Sequence, residues 1–219
     1  DSCAITDHGV MYGVVDFYKE AKEQGIKPVI GCEVYVAPRS RFDKVYEYDS
    51  KYSHLILLCE NYEGYKNLSY IVTKGFTEGF YYKPRIDFEL LSQHHEGLIA
   101  LSACLAGEIP KALSADDYDG AKAIGEKYVK LFGKDNYFIE LQDHSIAEQK
   151  RINPLLVKLA KELGVGLVAT NDIHYANKED AKYQDVLMCI QMQKTVDDED
   201  RMKFETEEFY VKSPEEMAE

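Results

Sequence analysis

The sequence predicts an α/β fold built on a largely parallel sheet, either open or closed into a barrel. Three observations lead there. Strand-length apolar runs alternate with helix-length amphipathic segments along the whole chain. Several of those runs are continuously apolar, the pattern of strands buried on both faces. Glycine stands at three helix-to-strand links, where it closes a helix in the left-handed conformation.

The elements follow in order. The first apolar run covers 2–6 (S-C-A-I-T). A helix is expected over 10–24, where Val10, Val14, Phe17, Tyr18 and Ala21 recur at helical spacing, and Gly25 ends it. Strands follow at 28–36 (P-V-I-G-C-E-V-Y-V) and 54–59 (H-L-I-L-L-C), then a helix at 64–77. A strand at 97–103 (G-L-I-A-L-S-A) precedes a helix at 116–132 that stops at Gly133. The strand at 137–141 (Y-F-I-E-L) leads to a helix at 147–163 that stops at Gly164. A last strand at 165–170 and a helix at 178–193 complete the alternation. Six strands are visible, and a seventh is expected before residue 1, because the chain opens without an initiator Met and runs straight into a strand.

Residues 1–194 therefore read as one domain, and residues 195–219 as an acidic connector towards another. Within that connector, E-E-F-Y-V-K-S-P-E-E-M reads as a short strand and a helix start. Ser213 is its cap, Pro214 its first helical residue and Glu216 the partner three residues on.

Composition narrows the class. Hydrophobic residues make up 45%, enough for an ordinary globular core. No apolar run approaches the roughly 18 residues needed to cross a bilayer, and the first residues lack the basic and apolar regions of a signal peptide. The five cysteines form no C-x-x-C pair and mostly lie in apolar runs, which fits reduced, buried thiols of a cytoplasmic protein. The net charge of −13 argues against gripping nucleic acid by bulk electrostatics. A phosphate substrate would need local cations, and bound metal ions are the obvious ones.

Residues able to bind metals fall where strands begin or end. His8 follows the first strand in T-D-H-G, a sequence that is also a common turn. Glu33 stands inside an apolar strand, where a carboxylate is costly unless paired or bound to a cation. His54 opens its strand, and its simpler reading is a surface residue. Cys104 follows G-L-I-A-L-S-A, where a buried thiol is common. His144 closes Y-F-I-E-L-Q-D-H, accompanied by Glu140 and Asp143. Asp172 and His174 lie two residues apart in T-N-D-I-H, so in extended chain both point one way; an Asx turn is the alternative. Each signal is weak alone, but four of the six histidines share this placement, and His94 and His95 are left to a solvated turn. Mixed His and carboxylate ligands suit zinc, manganese or iron clusters that polarise phosphoryl oxygens. The sequence holds no G-x-G-x-x-G, no G-x-x-x-x-G-K-[ST] and no G-x-S-x-G. In G-F-Y-Y-K-P-R, Lys83 and Arg85 interleave with aromatics and are candidate phosphate or DNA contacts. The preferred simpler reading is a surface loop whose tyrosines pack on the barrel.

The segments A-I-T-D-H-G-V-M-Y-G-V-V-D-F-Y, I-K-P-V-I-G-C-E-V-Y-V, H-L-I-L-L-C-E-N-Y-E-G-Y-K-N-L, G-F-Y-Y-K-P-R-I-D, G-L-I-A-L-S-A-C-L-A-G-E-I-P, F-I-E-L-Q-D-H and A-T-N-D-I-H-Y occur in that order. Together they resemble the polymerase-and-histidinol-phosphatase (PHP) domains at the front of bacterial replicative DNA polymerase III alpha subunits. The resemblance covers essentially the whole chain, and the tail resembles the continuation towards the polymerase palm. It implies a distorted (β/α)7 barrel with two to three divalent transition metals. Its ligand pattern maps onto His8, Glu33, His54, Cys104, His144, Asp172 and His174, with Glu33 as the bridging acid and Asp7 in the motif but not a ligand. The family's first strand also carries His-x-His, with an aspartate further on. That motif is absent here, so at least one metal position is expected to lack ligands in this chain. The resemblance further implies DNA replication, a cytoplasmic setting, contact with DNA through the full-length polymerase, and replisome partners such as a proofreading exonuclease and a sliding clamp. Two functions follow: metal-dependent phosphoester hydrolysis, as in a 3′-to-5′ exonuclease, or a metal-stabilised scaffold that docks a separate exonuclease. A free-standing phosphatase is disfavoured by the tail.

Overall fold

The computed structural model describes residues 2–218. It opens with a βαβ unit. Strand β1 (Ser2–Ile5) and the first half of β2 (Lys27–Val36) run parallel, joined by helix α1 (Val14–Glu23). The helix begins at 14 rather than at the expected 10, because residues 7–9 are still occupied in bridging β2: Glu33 N donates to Asp7 O and Gly9 N to Glu33 O.

The link after β2 carries only a one-turn helix, α2 (Tyr46–Asp49), and returns the chain as β3 (Ser53–Cys59), antiparallel to β2. Helix α3 (Tyr62–Thr77), capped by Asn61, leads to the short strands β4 (Phe80–Tyr81) and β5 (Lys83–Ile86). Helix α4 (Phe88–Gln93), capped by Asp87, precedes β6 (Leu98–Leu101). Helices α5 (Glu108–Ser114) and α6 (Tyr118–Phe132) connect β6 to β7 (Tyr137–Leu141). Helix α7 (Ala147–Leu163) then leads to β8 (Gly166–Ala169), and a 3-10 turn (Lys178–Asp180) enters α8 (Ala181–Met192). The last helix, α9 (Pro214–Ala218), has the expected reciprocal cap: Glu216 N donates to Ser213 Oγ at 3.2 Å and Ser213 N to Glu216 Oε2 at 2.8 Å.

The strand order is β4-β5-β2-β3-β6-β7-β8, with β1 on the β5 edge of β2. The expected largely parallel sheet needs one correction. β3 runs against both β2 and β6, while β6, β7 and β8 are parallel. No crossover helix of adequate length separates β2 from β3, and a parallel return requires one. The sheet curls: the segments following β1 and β8 bring the His8 and His174 rings to 5.7 Å. The result is a half-closed α/β barrel of distorted form.

Strand alternation sorts side chains into two layers. Cys32, Val34, Val36, Leu55, Leu57, Tyr137 and Ile139 point outward into the core shared with the helices. Ile56, Leu101 and Ala103 point inward and pack with Leu58, Ile99, Phe138 and Val168. Two burial expectations fail. β8 has a largely exposed pattern and β1 likewise, because each is paired along one edge only among the described residues. Cys3 is consequently exposed, although all five cysteines are free thiols as expected.

Candidate metal centre

The reversed β3 determines the site. In an all-parallel sheet, the first residue of a strand lies at the end away from the ligand site. Because β3 is antiparallel, His54 near its start pairs with Tyr35 near the end of β2. Glu33 and Tyr35 share the inward face of β2, and His8 bridges Glu33 from the opposite edge. Gly9 lets the chain turn there: its φ is +68°, and a Cβ would stand 2.7 Å from the Tyr35 ring.

Three side chains converge. His8 Nδ1 lies 2.6 Å from Glu33 Oε2, and His54 Nδ1 lies 2.8 Å from Glu33 Oε1. One buried carboxylate thus spans two imidazoles, with their ligand atoms all within 4.8 Å of one another. Cys104 Sγ stands 3.7 Å from His54 Nδ1 and 3.8 Å from Glu33 Oε1. Asp172 Oδ1 is 3.9 Å from His174 Nδ1, which is also 2.7 Å from the Asp172 carbonyl oxygen.

The electrostatics follow from this packing. Burial pushes Glu33 upward, but hydrogen bonds from His54 and His8 outweigh it and hold the carboxyl at about 2. The same contact with Glu33 raises His8, against its burial. Burial, reinforced by the Glu33 charge, drives the Cys104 thiol well up. Burial likewise raises Asp172, opposed by the charge of His174. Ala103 and Asp172 both have positive φ, so the backbone is strained beside two of the candidate ligands.

His144 is placed differently. It is fully buried, and both ring nitrogens are engaged. Nε2 is 2.8 Å from Asn171 O, and Nδ1 is 2.9 Å from Gln149 Nε2. Its ring stacks on Phe209 at 3.9 Å. The stretch expected to be a connector therefore packs on the site: Asn171 Nδ2 donates to Glu208 O and Tyr210 O, and His174 N to Phe209 O. The expected strand there reduces to a single bridge between Tyr175 and Tyr210.

Arg85 is unavailable to a phosphate. It is fully buried, and its guanidinium donates to the carbonyls of Gly79, Asp49, Asp43 and Arg41. Lys83 instead lies over the Tyr35 ring at 5.5 Å, beside His8. Sequence reasoning did not find the buried polar network beneath the 170–174 segment. Ser102, Glu140, Gln142, Thr170 and Gln149 link through it to His144. Glutamines inside a strand end and a helix carry no periodic signal of their own.

Fold and site together define a half-closed α/β barrel with a His/Glu cluster of metal-binding type at one end. The chain belongs to the PHP domain family, whose model matches residues 1–144. It is 52% identical over 219 residues to the DNA polymerase III subunit alpha of Treponema pallidum, covering 100% of this chain and 19% of that protein. The Thermus aquaticus subunit is 49% identical over 216 residues, and the Borreliella burgdorferi subunit 49% over 217, covering 98% and 99% of this chain. The chain spans about a fifth of the length of these curated relatives.

Proposed function

We propose that this chain is the PHP domain of a bacterial DNA polymerase III alpha subunit acting in DNA replication, and that its cluster is part of a site that holds two to three divalent transition metals in the complete domain, for phosphodiester hydrolysis. The activity favoured is a 3′-to-5′ exonuclease. The observation that carries the metal reading is Glu33, buried, ionised and shared between His8 and His54. A buried carboxylate with one oxygen toward each of two imidazoles, their ligand atoms within 4.8 Å of one another, is a donor set that would suit a divalent transition metal. The identity to polymerase III alpha subunits across the whole chain supports the parent protein, a DNA-directed DNA polymerase.

Zinc, manganese or iron bound there would supply Lewis acidity toward a phosphoryl oxygen. His8, Glu33, His54, Cys104, Asp172 and His174 would hold it. His144 would first have to exchange its bond to Asn171 or Gln149. Lys83, over the Tyr35 ring and near His8, would orient a phosphate. In the parent protein the domain works in the cytoplasm on DNA, with a proofreading exonuclease and a sliding clamp as partners.

The test uses the intact polypeptide loaded with manganese or zinc and a 3′-labelled oligonucleotide. Bound metal and release of 3′ nucleotides are expected, with both lost in Asp172→Asn and His174→Ala. Equal background rates in all three proteins would reject hydrolysis. The second reading is a metal-stabilised scaffold, and the packing of Phe209 on His144 favours it, since ligand-type residues here also hold the fold. Chelation that lowers the melting temperature, with no nuclease activity in any metal, would establish that reading.

A further inference from the structure

The metal centre is not the only recess. A cavity of about 300 Å³ opens between the start of α8 and residues 201–207. Tyr175, Lys182, Asp185, Arg201, Lys203 and Thr206 contribute to its lining. Three cations face two carboxylates there, counting Glu207, in a chain whose net charge is −13. Arg201 is the built part of the site. Its side chain is only 6% exposed, and Asp185 takes Nη1 and Nη2 at 2.5 and 2.8 Å. Arg201 Nε is left buried with no partner, and Thr206 Oγ1 is buried and unpartnered as well. Unpaired buried donors each cost about 1–3 kcal/mol, so two beside one cavity indicate a missing acceptor. Neither Lys182 nor Lys203 joins an ion pair among the described residues. The Phe204 ring, which also lines the cavity, meets the His174 ring at 4.9 Å and separates the recess from the metal centre.

We propose that this cavity binds a phosphate group, taken from a nucleotide or a strand terminus, with Lys182 and Lys203 balancing its charge and the Arg201 Nε–H and Thr206 hydroxyl, both closed off from solvent at rest, turning to donate to its oxygens. A phosphate offers several strong acceptors in a small volume, which matches two orphaned donors and two free ammonium groups. The inference rests on the cavity and is independent of what the metal centre does.

The experiment is lysine acetylation footprinting of the intact polypeptide, read residue by residue by mass spectrometry. Inorganic phosphate, a deoxynucleoside monophosphate and a phosphorylated oligonucleotide form its three arms. Lys182 and Lys203 should be protected, while the surface residues Lys150 and Lys161 should not. Protection in every arm assigns a bare phosphate site; protection only by the nucleotide or oligonucleotide assigns a phosphate on a nucleic-acid component. In Thr206→Val and in Lys203→Ala, the concentration that half-protects Lys182 should rise about tenfold. No protection in any arm at millimolar ligand, or unchanged half-protection in both variants, overturns the proposal. Phosphate bound at the metal centre would not move this readout, so its outcome is separable from that of the nuclease assay.

Discussion

At the residue scale, two buried glutamates with opposite shifts frame the site. Glu33 stays ionised because two histidines donate to it; Glu140 has no such cation. Burial pushes Glu140 up to about 7, despite hydrogen bonds from Thr170 and Gln142 to Oε1, and its Oε2 has no partner. The folded state therefore binds more protons than the unfolded state between about pH 4.5 and 7. That contribution is fully present below about 4.5 and is lost as pH rises through about 7, by about 3 kcal/mol in the metal-free protein. Glu140→Gln should remove this slope, so urea denaturation at pH 5 and pH 8 should show the wild type losing stability relative to the variant. Identical slopes would place the carboxyl elsewhere on the pH scale. His8 gives a second pH effect. Its pKa is raised by Glu33, and metal uptake must expel that proton, so metal affinity should climb as pH rises from about 6 to 8. A competition titration with a coloured chelator measures it, and a flat profile would remove His8 from the ligand set.

At the element scale, close packing leaves little tolerance. Helix α3 approaches the turn before β6 so tightly that a Cβ on Gly64 would lie 1.8 Å from Gly97 O. Both contacting groups are backbone, so Gly64→Ala must shift the helix. A loss of about 1–3 kcal/mol is expected, measurable by chemical denaturation. Arg85 plays the comparable part for the segment between β2 and β3. Its fork satisfies four carbonyls at once. A lysine cannot reproduce that geometry, so Arg85→Lys should cost about 3 kcal/mol while leaving metal affinity per folded molecule unchanged. A specific loss of phosphate binding with full stability would instead return Arg85 to the list of ligand contacts.

At the scale of the whole molecule, the half-closed barrel brings segments distant in the chain into one cluster, and no helix among the described residues is long and apolar enough to cross a membrane. Residues 8, 33, 54, 104, 172 and 174 come from five separate strands or the segments that follow them. A metal that ties them together should stabilise the entire fold, by about 2.7 kcal/mol when free metal is a hundred times its dissociation constant. Chelation should therefore lower the melting temperature of the wild type, and much less that of Glu33→Gln. Calorimetry with and without chelator reads the difference, and equal shifts would show that the metal acts elsewhere.

The alternation of strand and helix was legible in the sequence because strand runs and helix faces have different periods, and α7 was found at 147–163 to the residue. Glu33 was legible too, since an acid inside P-V-I-G-C-E-V-Y-V must be compensated somewhere. The S-P-E-E cap of α9 is local chemistry and could be read directly. What the sequence could not reveal was direction and partnership. His54 read equally as a ligand and as a surface residue at a strand start; only the antiparallel return of β3 carries it to Glu33. His144 and Arg85 looked equally available, yet one is occupied by Gln149 and by Asn171, 27 residues away in the chain, and the other by four carbonyls that include that of Asp49, 36 residues away. Periodicity records which face of an element is apolar. Strand direction and the pairing of buried polar groups depend on long-range closure of the sheet, which no local pattern encodes.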